Sequence, residues 1–106
     1  MELDVGGFRV SDCKKYSLIK MPEIIRASDA QDFKSALEVA YEQGHKEIII
    51  DCSDLRVFNA TGIVYLLVYR NKLNERNGEL NMVNIYDNDL AEKFKTIELG
   101  KVLSIE

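Results

Sequence analysis

Glu47-Ile48-Ile49-Ile50-Asp51-Cys52-Ser53-Asp54-Leu55 runs on through Arg56-Val57-Phe58-Asn59-Ala60-Thr61-Gly62 into an apolar stretch from Ile63 to Leu73. The unbroken Ile48-Ile49-Ile50 suits a strand buried on both faces, and such strands belong to parallel sheets covered by helices. A strand therefore feeds a helix through one short loop. That loop lies at the strand's carboxyl end, where open α/β sheets place their working groups.

Upstream, Phe33, Ala36, Leu37, Ala40 and Tyr41 recur at helical spacing between charged residues. Ser28-Asp29-Ala30-Gln31 has the spacing of a capping box at the start of that helix. Gly44 is placed to end it in a left-handed conformation. Before it, Phe8 and Val10, then Tyr16, Leu18 and Ile19, predict two short antiparallel strands, with Gly6-Gly7 and Ser11-Asp12 as breakers and Pro22 closing the second.

Downstream, the second helix runs from about Ala60 to Arg76, with Ile63, Leu66, Leu67 and Leu73 on one face and Asn77-Gly78 at its end. Leu80, Met82, Val83 and Ile85 predict a further strand. Asp87-Asn88-Asp89 caps a third helix carrying Leu90, Ala91, Phe94 and Ile97 and closed by Gly100. Val102, Leu103 and Ile105 make a last strand. The order β-β-α-β-α-β-α-β predicts an α/β fold: one domain over residues 1–106, with helices packed on a mixed, mainly parallel sheet.

Composition narrows the function. A chain of 106 residues with 46 % hydrophobic and 30 % charged residues has the make-up of one globular domain. No run approaches the about 20 apolar residues of a membrane span, and the polar start Met1-Glu2-Leu3-Asp4 is no signal peptide. A cytoplasmic protein is expected. The net charge of −4 argues against a nucleic-acid partner, which needs a clustered basic surface. Cys13 and Cys52 with the lone His45 signal neither a disulfide framework nor a zinc site, and no cofactor or metal is expected.

The order and spacing of several pieces resemble the STAS domain, which sulfate transporters share with bacterial anti-sigma factor antagonists. The pieces are Ala27-Ser28-Asp29-Ala30 before the first helix, Ile48 to Ser53 on the central strand and Asn59-Ala60-Thr61-Gly62-Ile63 opening the second helix. Gly78-Glu79-Leu80 before a strand and Phe94 to Ile105 at the end complete the resemblance, which covers about residues 8 to 106. A stand-alone chain of this size is similar to the antagonists. The resemblance implies a protein partner of the serine kinase anti-sigma factor type, which switches such antagonists off by phosphorylating a loop hydroxyl. A phosphate adds about −1.5 to −2 charge, which the helix N-terminus tolerates and the partner surface repels.

The family's loop reads Asp-Ser-Ser-Gly or Asp-Ser-Thr-Gly, with the first hydroxyl taking the phosphate. Here Asn59 replaces the acid and Ala60 the phosphoacceptor, so regulation by phosphorylation is lost or moved to Thr61. Thr61 is either a displaced phosphosite or a local hydrogen-bonding residue of the first turn, and Asn59 suits an N-cap. Gly62 marks either close approach of a partner or a tight helix start. In the preceding loop, Glu23-Ile24-Ile25-Arg26 stands where the family often has Gly-x-Leu-Asp, which puts a base in place of an acid: Arg26 is either an ordinary solvated arginine or the mark of a partner with a different charge pattern.

Val64 and Val68 lie beside the core face, as an exposed binding flank or as part of a wide core stripe, with Tyr65 further towards solvent. The expected partner-binding residues are Ile25, Arg26, Ser28, Asp29, Phe58, Asn59, Ala60, Thr61, Val64 and Val68. The N-terminal strands or the valine flank could also pair two copies. Two readings stand: a non-catalytic antagonist-like binding module, or a structural STAS subunit of a larger signalling or transport assembly with no phosphoswitch. Catalysis is not expected. Asp51 resembles a receiver-domain phosphoacceptor in position, but no paired acids follow the first strand, no lysine follows a late strand, and no nucleophile–base cluster is apparent.

Overall fold

In the computed structural model, which describes residues 2–96 and 104–105, the strands are β1 (Glu2–Val5), β2 (Phe8–Asp12), β3 (Ser17–Lys20), β4 (Ile24–Ile25), β5 (Glu47–Asp51), β6 (Val57–Phe58), β7 (Glu79–Val83) and β8 (Ser104–Ile105). The helices are α1 (Ala30–Glu42), α2 (Ala60–Glu75) and α3 (Asn88–Thr96). Six strands form one sheet in the order β1-β2-β3-β5-β7-β8, and β4 and β6 form a small parallel sheet of their own. The pairs β1–β2 and β2–β3 are antiparallel, while β3–β5, β5–β7 and β7–β8 are parallel. The expected mixed, mainly parallel sheet is what forms. Ile97, Gly100, Val102 and Leu103 lie outside the described residues.

The strand β1 is an addition to the expected order. Gly6 and Gly7 are more than breakers: both have positive φ, and they make a two-residue turn that pairs Val5 with Phe8. The polar Glu2 and Asp4 hid this edge strand, because its stability comes from pairing rather than from an apolar face.

Register puts Val10, Ile19, Ile50 and Met82 in one row across the sheet, and Phe8, Ile48 and Leu80 share their face. All of these are buried, in one core with Phe33 and Leu37 of α1, Leu66 and Leu73 of α2, and Leu90 and Phe94 of α3. The opposite face differs from expectation. Ile49 and Leu18 are only half-buried there, beside Lys20, Asp51 and Asn81. The central strand is covered by helices on one face, not two, because the buried residues of all three helices join the Ile48–Ile50 side. Within the core, Phe8, Phe33, Phe58 and Phe94 form a chain of ring contacts with centroids 5.3, 5.5 and 6.0 Å apart. It links the first hairpin to the entry of α2 and to α3.

The helix ends follow local chemistry. Gly44 has φ +85° and donates to the Tyr41 carbonyl, closing α1 as expected. Gly78 donates to the Leu73 carbonyl after Asn77 takes φ +60°, which closes α2. The entry to α1 is different from the capping box expected at Ser28 and Gln31. A single 3-10 turn over Ala27–Asp29 precedes the helix, and the Asp29 carboxylate accepts from the Arg26 backbone N–H at 2.9 Å. The cap sits two residues earlier because β4 ends at Ile25 and the chain must turn at once.

Candidate functional site

β4 and β6 each contribute two residues, yet they bring together the two loops on which the expected binding residues lie. Ile24 pairs with Val57 and Ile25 with Phe58. The Arg56 N–H donates to the Glu23 carbonyl at 2.7 Å, and the Asn59 N–H to the Ile25 carbonyl at 2.9 Å. The loops therefore share backbone hydrogen bonds rather than merely lying close.

At the start of α2, Asn59 is the N-cap: its side-chain oxygen accepts from the Thr61 N–H at 2.8 Å. Gly62 is buried, and a Cβ there would lie 2.5 Å from Cε1 of Phe58. The glycine thus makes room for an internal ring in the first turn of α2, which makes the helix start a tight one. Lys93 of α3 donates its ammonium to the Phe58 carbonyl at 3.0 Å and fixes the loop from the other side. The base of the loop is thus tied by backbone bonds to Glu23 and Ile25 on one side and by Lys93 on the other.

The expected binding residues divide by burial. Ile25 and Phe58 are 0 % and 2 % exposed, so they form the floor and present no side chain outward. Arg26, Ser28, Ala60 and Thr61 are exposed, and Asp29 and Asn59 are half-buried. Val64 and Val68 are 55 % and 42 % exposed, which decides for the open flank over the wide core stripe. Tyr65 is instead half-buried against the core, with the Lys34 ammonium 5.7 Å from its ring centre; the actual member of the buried stripe that spacing missed is Tyr69. Val57, 51 % exposed, also belongs to this surface. Its signal in the sequence was alternation with Phe58. Lys93 left no such signal, since only the fold brings α3 to the loop.

A second cluster sits at the carboxyl ends of β3, β5 and β7. The Asp51 carboxylate accepts from the Ser53 N–H at 3.0 Å and from the Asn84 side chain at 3.2 Å. The Lys20 ammonium lies 3.6 Å from Asp51 and 3.4 Å from Asp54, and donates to the Ser53 hydroxyl at 2.9 Å. Burial alone would raise the Asp51 pKa, but these donors and the lysine charge together hold it below the ordinary carboxylate value. The lysine absent from the late strands is supplied by β3. Beside it, burial and then the Asp51 charge push the Cys52 thiol up to about 12, so this cysteine stays protonated and inert. Cys13 is also a free thiol. A polar cleft of about 600 Å³ opens nearby, lined by Glu23, Asp54, Arg56, Tyr86 and Asp87 among others. His45 is paired with Asp12 at 2.7 Å, on the turn that leads into β5 and so at the other end of that strand from the loop.

Comparison with known proteins agrees with this fold. A family model described as the STAS domain matches residues 14–106. The Bacillus cell-fate determinant SpoIIAA in its phosphorylated form is similar in structure, with a TM-score of 0.72 at 14 % identity over 93 % of this chain and 90 % of that one. The anti-sigma factor antagonist SpoIIAA in its unphosphorylated form gives 0.79 at 15 % identity, over 93 % and 87 % of the two chains. An anti-sigma factor antagonist from Mycobacterium paratuberculosis gives 0.77 at 17 % identity, over 92 % and 82 %. At such identities the likeness is one of fold. No curated protein sequence matches the chain significantly. Among the described residues, no helix is long and apolar enough to cross a membrane.

Proposed function

The chain belongs to the STAS-domain family, and from that premise we propose that it is a non-catalytic, cytoplasmic protein-binding regulator of the anti-sigma factor antagonist type. Its docking face is the surface shared by the loops before α1 and α2, presenting Arg26, Ser28, Asn59, Ala60 and Thr61, with Val64 and Val68 alongside. The observation that carries this reading is the hydrogen-bonded β4–β6 pair, which joins the two loops through their backbones and leaves the exposed side chains of Ala60 and Thr61 outside the bonds that hold them. Loops tied in this way have less freedom to lose on binding.

Ala60, exposed at the first position of α2, has no hydroxyl to phosphorylate. Regulation through that position is therefore lost, and Thr61, exposed one residue on, is the local hydroxyl through which a kinase could act. Incubation with the host's serine kinases and ATP, read by intact mass, tests this. No phosphate on the native chain and one phosphate on Ala60→Ser is the expected pair of results. Phosphate on Thr61 would replace the locked reading with a displaced switch. Pull-down from the native host with the chain and an Ala60→Glu variant tests docking itself. A kinase partner lost in the variant supports the regulator, whereas stable assembly components that ignore the change would favour a structural subunit.

A further inference from the structure

The cleft of about 600 Å³ beyond the carboxyl ends of β5 and β7 has a mixed lining. Glu23, Asp54 and Asp87 bring three carboxylates, Arg56 a guanidinium, Tyr86 a ring that is 70 % exposed, and Leu55 an apolar patch. Some of these groups are already engaged. Asp54 is ion-paired with Lys20 at 3.4 Å, and one Asp87 oxygen accepts from the Leu90 N–H at 2.9 Å. The Tyr86 hydroxyl donates to the Asn84 side-chain oxygen at 3.1 Å, and the Asn84 amide donates in turn to Asp51. The ring is thereby tethered while most of it stays in water. The side chains of Glu23 and Arg56, by contrast, have neither hydrogen bond nor ion pair among the described residues. They leave the backbone at adjoining places, since the Arg56 N–H donates to the Glu23 carbonyl at 2.7 Å. Two opposite charges that line one cleft without pairing leave a place for a group of each sign.

We propose that this cleft binds a small zwitterion, an ammonium and a carboxylate a few bonds apart, of which free amino acids are the natural class. The ligand carboxylate meets Arg56, whose planar fork suits it. The ammonium meets Glu23 and the free oxygen of Asp87, beside an aromatic ring whose face attracts cations. Charge disfavours the other classes. Three carboxylates repel a phosphate or a dicarboxylate, and a polyamine leaves Arg56 facing like charge. Among the described residues, no group of three His, Cys, Asp or Glu side chains could hold a metal ion. Lys20 and Arg9 do not alter this count, because they line a separate cleft of about 260 Å³ that shares only Asp54 with this one. The volume also suits a small ligand, whose pockets run from about 300 to 1,000 Å³. Ion pairs open to water contribute little, so binding is weak, on the order of 1 mM.

Titration of the nitrogen-15-labelled full chain with glycine, L-methionine and L-phenylalanine, each to about 50 mM and read by proton–nitrogen correlation spectra, tests this. At about pH 6.5 every α-amino group in the comparison is largely protonated. At least one of the three amino acids should shift the amides of residues 53–56 and 86–88 and saturate. Its carboxamide, which lacks the carboxylate, and acetate, which lacks the ammonium, should bind about fivefold more weakly or worse. Arg56→Gln, at an exposed position, should keep the circular dichroism of the native chain and bring the amino acid down to the level of its carboxamide. Glu23→Gln, also exposed, should weaken both. Shifts that saturate for none of the three, a carboxamide that binds as well as its amino acid, or binding unchanged by Arg56→Gln would each overturn the inference. The docking assay with Ala60→Glu reads a different set of residues, so neither result decides the other.

Discussion

Two neighbouring stretches, 51–55 and 57–62, both sit at carboxyl ends of strands and are built on opposite plans. In the first, side chains do the holding: Asp51, Ser53 and Asp54 all engage Lys20, and Asn84 closes the group. In the second, backbone bonds to β4, the Asn59 cap and the buried Phe58 do the holding, and Ala60 and Thr61 point outward with no part in it. In such a cluster the polar side chains are engaged with one another and tie the strand ends together. A loop fixed from beneath leaves its outward residues free to serve a partner or to change without cost to the fold.

The largest test of this contrast is Phe58→Ala, which removes a ring packed between Phe33 and Phe94. It should cost about 3–5 kcal/mol in urea unfolding. Gly62→Ala comes next, because its Cβ would meet the Phe58 ring at 2.5 Å; overpacking should cost about 1–3 kcal/mol. Combining it with Phe58→Leu should cost less than the two single changes summed, since the smaller side chain gives room. Strict additivity would break the claim that the ring holds the loop.

Asp51→Asn should cost about 1 kcal/mol at neutral pH, as it removes the charge that Lys20 and the Ser53 N–H favour. Because the folded pKa of Asp51 lies below its unfolded value, the wild-type advantage is complete above the ordinary carboxylate pKa of ~3.9. It should fade as pH falls through the lower folded value. Urea midpoints from pH 7 down to 2 measure it, and an advantage that grows on acidification would contradict the network. Smallest of all, Ala60→Ser and Thr61→Ala should each change stability by less than about 0.5 kcal/mol. A larger loss would mean that the outward residues hold the loop after all.

Much of the fold was legible because helix faces and caps are local. Phe33, Ala36, Leu37 and Ala40 announce the buried side of α1, Gly44 its end and Asn59 the start of α2. Here 3.6-residue periodicity and short-range hydrogen bonds suffice. The strand β1 escaped notice because an edge strand is stabilised by pairing with β2, not by its own pattern. The Ile48-Ile49-Ile50 run indicated a central strand but not the number of covered faces, which depends on where distant helices settle.

The candidate site divides in the same way. Residue identity alone shows that Ala60 carries no hydroxyl, that Thr61 follows it and that a base stands at Arg26. Each is a fact about one residue's chemistry. It takes the folded chain to make Ile25 and Phe58 floor rather than surface, to set Gly62 against a ring, to bring Lys93 to the loop and to place Lys20 beside Asp51. All but one of those contacts join residues 31 to 35 positions apart, brought together by strand pairing and helix packing. The exception, Gly62 against Phe58, spans one turn and depends on a ring direction that burial in the core alone fixes.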